Sequence, residues 1–264
     1  MNVPQKLPLP DVQARVDSRQ LKIDSVGVKG LRYPVIIRSN GIDTSSIANI
    51  NMSVGLSAAV KGTHMSRFVE VLEANVTSMD NTALMEMAGT MVERLNAEAG
   101  KIEMRFPYFI QKTAPVSKVQ SLLDIEVSWR ARIDQDGAKQ NSLQVIVPAT
   151  SLCPCSRDIS AYGAHNQRSL ISITVVLAQA MSIEELVAIA ESSASCEVYG
   201  LLKRVDEKYV TERAYENPKF VEDMVRDVAL ALNRHSSVLS YEVEVENFES
   251  IHNHSAVARI VSEN

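Results

Sequence analysis

In the run S-L-C-P-C-S-R-D-I-S-A-Y-G-A-H-N-Q-R-S at 151–169, two thiols flank one proline and an imidazole follows ten to twelve residues on. Thiolate and imidazole together are the vocabulary of metal ligation or of a nucleophile with its base. Pro154 fixes φ and removes a backbone donor, so Cys153 and Cys155 are expected in a turn rather than in a strand ladder. A turn is where a scaffold can offer reactive groups to a cleft. Cysteines two residues apart have poor geometry for a mutual disulfide. They are either reactive groups or small buried hydrophobes, and the polar Ser, Arg and Asp around them favour the first. Cys196, in an apolar stretch, reads as core.

Other groups could join that chemistry. His165 stands at a loop-to-strand junction, a ligand or a merely hydrogen-bonded ring, with Gln167 and Arg168 next to it. Glu207, in D-E-K-Y-V-T-E-R between the two predicted helices of the second half, reads from its own surroundings as a solvated loop carboxylate. Glu222 interrupts the apolar stripe of a helix, either at its boundary with solvent or as a paired buried group. His252 and His254, in I-H-N-H-S-A, point the same way if that segment is extended. Lys61, His64 and Arg67 lead from a strand into a helix N-terminus, which suits a phosphate or is an ordinary basic turn.

The elements that position these groups follow from periodicity. Residues 1–19 are polar and proline-bearing, an arm expected to be poorly ordered. Leu21 to Arg38 reads as strand with a turn. Ile50, Met52, Val54 and Leu56 alternate with small or polar residues as in a half-buried strand. A helix follows Ser66, and Leu84, Met87, Ala88, Met91, Val92 and Leu95 recur at helical spacing, with Gly100 as the expected stop. Strands are predicted near 101–111, 121–133, 142–149 and 169–178, with D-Q-D-G at 134–137 as a turn. Ser182 and Glu185 form a capping-box pattern ahead of Ile183, Leu186, Val187 and Ala190. Pro218 is the expected first residue of a last helix carrying Phe220, Val221, Met224, Val225, Val228 and Leu232. Tyr241, Val243 and Val245 alternate with Glu242, Glu244 and Glu246 in a strand with one acidic face. The order strand-strand-helix-helix-strand-strand thus occurs twice, predicting an α+β fold of two tandem antiparallel-sheet modules, 20–137 and 138–264, each with a pair of helices on one face.

Composition narrows the function. Of 264 residues 45% are hydrophobic and 22% charged, as in an ordinary soluble globular protein. The net charge of −5 argues against nucleic acid or an anionic membrane surface as partner. Three cysteines make no disulfide framework. The first residues, M-N-V-P-Q-K-L-P-L-P-D, lack an apolar run of signal-peptide length, and no stretch approaches the ~18 apolar residues of a membrane span. A reduced, cytoplasmic protein is the expectation.

The 151–169 run resembles the signature segment of the type IB GTP cyclohydrolase I family. K-G-T-H-M-S-R-F at 61–68, D-E-K-Y-V-T-E-R-A-Y-E-N-P-K-F-V-E-D at 206–223 and E-S-I-H-N-H-S-A at 249–256 resemble further blocks of it, in order, so the likeness covers all but the N-terminal arm. It implies a tunnelling fold of two fused modules, assembled as a homotetramer with active sites where subunits meet. It implies conversion of GTP and water to formate and 7,8-dihydroneopterin triphosphate, the entry to folate and related pterins, with a divalent metal that could be zinc, manganese or iron. Carried over by position, Cys153 is the thiolate ligand and catalytic cysteine, and His165 and Glu207 complete the protein side of the metal site. Glu222 matches the carboxylate that grips the amino-pyrimidine edge of guanine. Gln167, His252 and His254 fall near orientation and proton transfer, and Lys61, His64 and Arg67 near the triphosphate.

Opening the imidazole ring of guanine requires water to attack carbon 8, a poor electrophile, and a metal with an open position supplies such a nucleophile near neutral pH. Three rival readings differ in kind. A tunnelling-fold nitrile reductase uses cysteine as a covalent nucleophile with NADPH, which the C-P-C and H-N-Q-R blocks fit poorly. A structural metal staple predicts a closed four-ligand site. A Cys-His-Glu hydrolase would need no metal.

Overall fold

The structure, a computed structural model, describes residues 11–262. The first ten residues of the predicted arm lie outside the described residues. The chain runs β1 (Ile23–Ser39), β2 (Ile42–Leu56), α1 (Met65–Asn75), α2 (Asn81–Arg94), β3 (Gly100–Thr113) and β4 (Gln120–Ile133). It continues with β5 (Lys139–Leu152), α3 (Pro154–Ile159), β6 (Asn166–Leu177), α4 (Ile183–Ser193), β7 (Cys196–Glu197), α5 (Arg204–Glu216), α6 (Val221–Leu232), β8 (Val238–Asn247) and β9 (Ala256–Ser262). All strands join one antiparallel sheet in the order β1-β2-β3-β4-β5-β6-β8-β9, with β7 paired to β5. The two halves meet at β4 and β5, from Glu126 opposite Ile146 to Ile133 opposite Lys139, across the 134–138 turn. They share one core, in which Ile50, Met104 and Trp129 of the first half and Val145, Ile173 and Val243 of the second back onto helical Leu84, Met87, Leu186 and Val228.

Local chemistry explains most boundaries. The Asp80 side chain accepts from Ala83 N–H (2.8 Å) to start α2, and Ser182 and Glu185 form the capping box of α4. Gly100 is not the stop of α2. That helix ends at Arg94, with Asn96 at φ 48°, and Gly100 opens β3 where a Cβ would lie 2.6 Å from Val92. Leu21 to Arg38 holds no turn: β1 is one long strand, and Gly30 (φ 76°) lies in a register shift between Val28 and Leu31. The last helix starts at Val221 rather than Pro218, because the Asp223 carboxylate accepts Phe220 N–H (3.0 Å) and makes Phe220 the cap. Helix α5 was not foreseen. Only Asp206 and Ala214 of it are buried, so no apolar stripe announces it. The described part of the arm is tied down by Asp17 N–H to Ala59 O (3.1 Å) and Lys61 N–H to Arg15 O (3.0 Å), pairing that leaves no periodic trace in sequence.

On the sheet face away from the helices, Glu103 accepts from Arg130 (2.7 Å), Arg105 (3.1 Å) and Asn51 (3.2 Å). Burial would raise its carboxyl, but these donors outweigh it and hold it at about 2. The stability this contributes is present above the unfolded value near 4 and is lost as pH falls toward 2. Glu103→Gln is expected to lower the melting temperature by about 3 °C at pH 7 and by less at pH 2.5, read by thermal scans at the two values.

Candidate active site

The site is built where β5 leaves the sheet. Lys219 N–H donates to Leu152 O (3.0 Å), so the chain entering α6 is fastened to the residue before Cys153. Cys153 then caps α3 with extended backbone, and Pro154 takes the first helical position, where a missing N–H costs nothing. The two cysteines are thus at the mouth of a short helix rather than in an open turn. Ser156 stitches the segment together: its N–H points at Cys153 Sγ (3.5 Å), its hydroxyl donates to Cys153 O (3.0 Å), and its Oγ accepts His165 N–H (3.2 Å). Cys153 N–H donates to His165 O (3.1 Å), and Gly163, at φ 116°, supplies the left-handed residue that lets the loop return. Cys153 and His165 are both half-buried and held side by side by their backbones.

The His165 ring is oriented from behind. Its Nδ1 is 3.0 Å from Gln167 Oε1 and 3.2 Å from Ser250 Oγ. The second contact brings in the 248–255 loop, which is bent rather than extended. In it His252 and His254 are exposed and stack with ring centroids 5.2 Å apart. Gln167 also lines a cleft of about 440 Å³ with Arg168, Glu197, Tyr199 and, from α5, Val210 and Thr211. In that cleft Glu197 accepts from Arg213 (3.0 Å) and from Tyr199 OH (2.8 Å). Cys196 is core, as expected: burial pushes its thiol up to about 11 and removes it as a nucleophile at neutral pH.

Glu207 lies in helix α5, one turn before Thr211, whose hydroxyl donates to Glu207 O (2.7 Å). Its carboxylate is exposed and makes no hydrogen bond or ion pair among the described residues. The preceding residue, Asp206, is fully buried and fixes the start of that helix. Glu222 is exposed in the first turn of α6, not paired in the core. Lys61, His64 and Arg67 belong to the other half. His64 and Arg67 line a separate cleft of about 740 Å³, His64 Nε2 lying 3.1 Å from Asp11 Oδ2, and no residue from 151–169 lines it. One chain therefore gathers Cys153, His165, Gln167 and the histidine loop, and leaves the basic cluster apart.

The donors suit a divalent cation in kind. With Nδ1 engaged by Gln167, Nε2 of His165 has no hydrogen bond among the described residues, and the Cys153 thiol and the Glu207 carboxylate are of the other ligand types. Among the described residues no three His, Cys, Asp or Glu side chains of one chain are drawn together tightly enough to hold a metal. Sequence reasoning missed Ser151, Ser169, Asn247 and Asp206. The first three could have been found as polar residues at core-facing positions of otherwise aliphatic strands.

The profile of the family described as type I GTP cyclohydrolase folE2 matches residues 9–258. A GTP cyclohydrolase FolE2 of Azoarcus sp. is 56% identical over 261 residues, covering 98% of this chain and 97% of that protein. One from Paraburkholderia phymatum is 56% identical over 256 residues, 97% of this chain and 95% of its own. Among solved structures, uricase from Arthrobacter globiformis superposes with a TM-score of 0.54 over 91% of this chain and 93% of that one, at 7% identity. At such identity the likeness concerns the fold alone, the tunnelling fold that the sequence suggested.

Proposed function

Since this chain belongs to the type I GTP cyclohydrolase folE2 family, we propose how its own residues divide the work of that reaction. The activity is that of a GTP cyclohydrolase I: GTP and water give formate and 7,8-dihydroneopterin triphosphate, the first step of folate biosynthesis. Cys153, His165 and Glu207 hold a divalent cation, zinc, manganese or iron. When bound it supplies a nucleophilic water near neutral pH by lowering that water's pKa. The observation that supports this reading is the backbone pairing of Cys153 with His165, whose ring Nδ1 is already engaged by Gln167.

The other residues bind, orient and move protons. Glu222 accepts two hydrogen bonds from the amino and ring N–H of guanine, a pattern the adenine edge cannot offer. Gln167 holds the His165 ring. His252 and His254, in the loop that touches His165 through Ser250, carry the proton that the ring nitrogen needs as its bond to carbon 8 breaks, help typically worth ~10²–10⁴ in rate. Hydrolysis of the formyl group and closure of the rearranged ribose onto the freed amine complete the product. Lys61, His64 and Arg67 bind the triphosphate at a neighbouring subunit's site, in a cytoplasmic homotetramer. The support for assembly is that β1 and β9 stand at the two ends of the strand order, β1 covered among the described residues only at Met79, and that Ile159 and Tyr162 beside the site are 86% and 102% exposed.

The test is GTP turnover, read as neopterin fluorescence after oxidation, with chelator and with zinc, manganese or iron added back. Loss with chelator and recovery with metal are expected, and full activity in chelator would overturn the metal reading. Glu222→Gln is expected to raise KM for GTP at least about 10-fold with a smaller change in kcat, measured by the same assay.

A further inference from the structure

We propose that Ser151, Ser169 and Asn247 are positioning residues that act through Gln167 to decide which nitrogen of His165 carries its proton. The first three are 0%, 0% and 3% exposed, and Gln167 is 7% exposed. They lie on three adjacent strands, Ser151 opposite Gln167 and Ser169 opposite Asn247, on the face that further along carries Val147, Ile171 and Val245. Four polar side chains in a row on a core face are a cost unless each is satisfied, and here each is linked to the next. Gln167 Nε2 donates to Ser151 Oγ (2.7 Å), Ser151 and Ser169 hydroxyls are 3.0 Å apart, and Ser169 donates to Asn247 Oδ1 (2.7 Å).

A hydroxyl has one proton to give, so such a row can run in only two directions. With the Asn247 carbonyl at the far end, Ser169 gives to Asn247, Ser151 gives to Ser169, and Gln167 gives its N–H to Ser151. The Gln167 oxygen is then turned to His165, where it can only accept, so Nδ1 bears the proton and Nε2 presents a lone pair. Reversing the row would turn the amide N–H toward Nδ1 and move the proton to Nε2. Ser250, which touches the same Nδ1 from the surface, can give or accept and so does not decide. The tautomer needs no metal, and its use rests on the proposed ligand role of His165.

The experiment is NMR of the metal-free protein with 13C,15N-labelled histidine, five rings in all, the His165 signals being those missing from His165→Gln. At a pH where the ring is neutral, wild type is expected in the Nδ1–H form. Ser151→Ala and Asn247→Ala are expected to shift it toward Nε2–H, whereas Ser151→Thr and Asn247→Asp, which keep the hydroxyl and the acceptor, retain it. Cobalt(II) affinity should fall about 10- to 100-fold in the shifted variants only. Unchanged His165 signals in both alanine variants would overturn the inference. Should Ser151→Ala not fold, the Asn247 pair reads the same switch. A shifted tautomer, with cobalt affinity indifferent even to His165→Gln, would uphold the row and sink the ligand reading instead.

Discussion

Cys153→Ala is expected to lower turnover of GTP by about 10³-fold or more while moving the melting temperature by no more than about 3 °C. The two expectations come from different contacts. The fold asks little of the sulfur: it is half-buried, accepts one long bond from Ser156 N–H (3.5 Å), and the segment is held instead by Cys153 N–H to His165 O and by the Ser156 hydroxyl. The proposed chemistry asks a great deal of it, because it is the thiol whose backbone is paired with His165. Cys155 is exposed within α3, and Cys196 is buried under a thiol pKa of about 11. Neopterin fluorescence, bound metal per chain and a thermal scan of the variant separate the roles. Activity within 10-fold of wild type with metal still bound would remove Cys153 from the centre of the reaction. A collapse of the melting temperature would recast it as structural.

The strands were legible because their sequences repeat every second residue over a one-sided core, and β5, β6 and β8 fall where alternation puts them. The 151–169 segment stood out because Cys, Pro and His are types that break a strand pattern, yet the expected open turn is the start of helix α3. What escaped is what has no period. α5 is polar nearly all round and is held by one buried carboxylate, so neither moment nor composition marks it as a helix. The clasp between residues 11–17 and 59–62 is a matter of backbone pairs between segments far apart in sequence. Glu222 reads as an interruption in an apolar stripe, yet its side chain turns outward, because a helix face has edges that a linear pattern does not resolve. The row Ser151, Gln167, Ser169 and Asn247 lay in plain view as polar letters at inward positions. It gains meaning only when register sets them side by side.

Asp206→Ala is expected to be the most damaging change outside the reacting groups, lowering the melting temperature by about 5–10 °C and activity with it. The Asp206 side chain is completely buried and accepts from Val116 N–H (2.8 Å), Ser117 N–H (2.8 Å), Ser117 OH (2.5 Å) and Lys203 N–H (2.9 Å). It thereby bolts the β3–β4 loop to the first turn of α5, and Glu207 is the next residue along. Alanine leaves three backbone donors without the acceptor that holds them, in addition to the lost bond from the Ser117 hydroxyl. Burial alone would raise this carboxyl, but the hydroxyl and backbone donors outweigh it and hold it well below the usual carboxylate range. A depressed folded value means the contribution is whole above the unfolded value near 4 and is lost as pH falls below it. Asp206→Asn keeps the shape and one acceptor, so it should recover part of the stability and flatten the acid limb of the melting curve between about pH 4 and 2. Because α5 also carries Glu207, the proposed ligand role of that residue implies that both variants bind metal less tightly in proportion to their loss of activity. If Asp206→Ala melts like wild type yet loses activity, the carboxylate acts in the chemistry. If it melts low yet retains full turnover, α5 does not need this anchor to present Glu207.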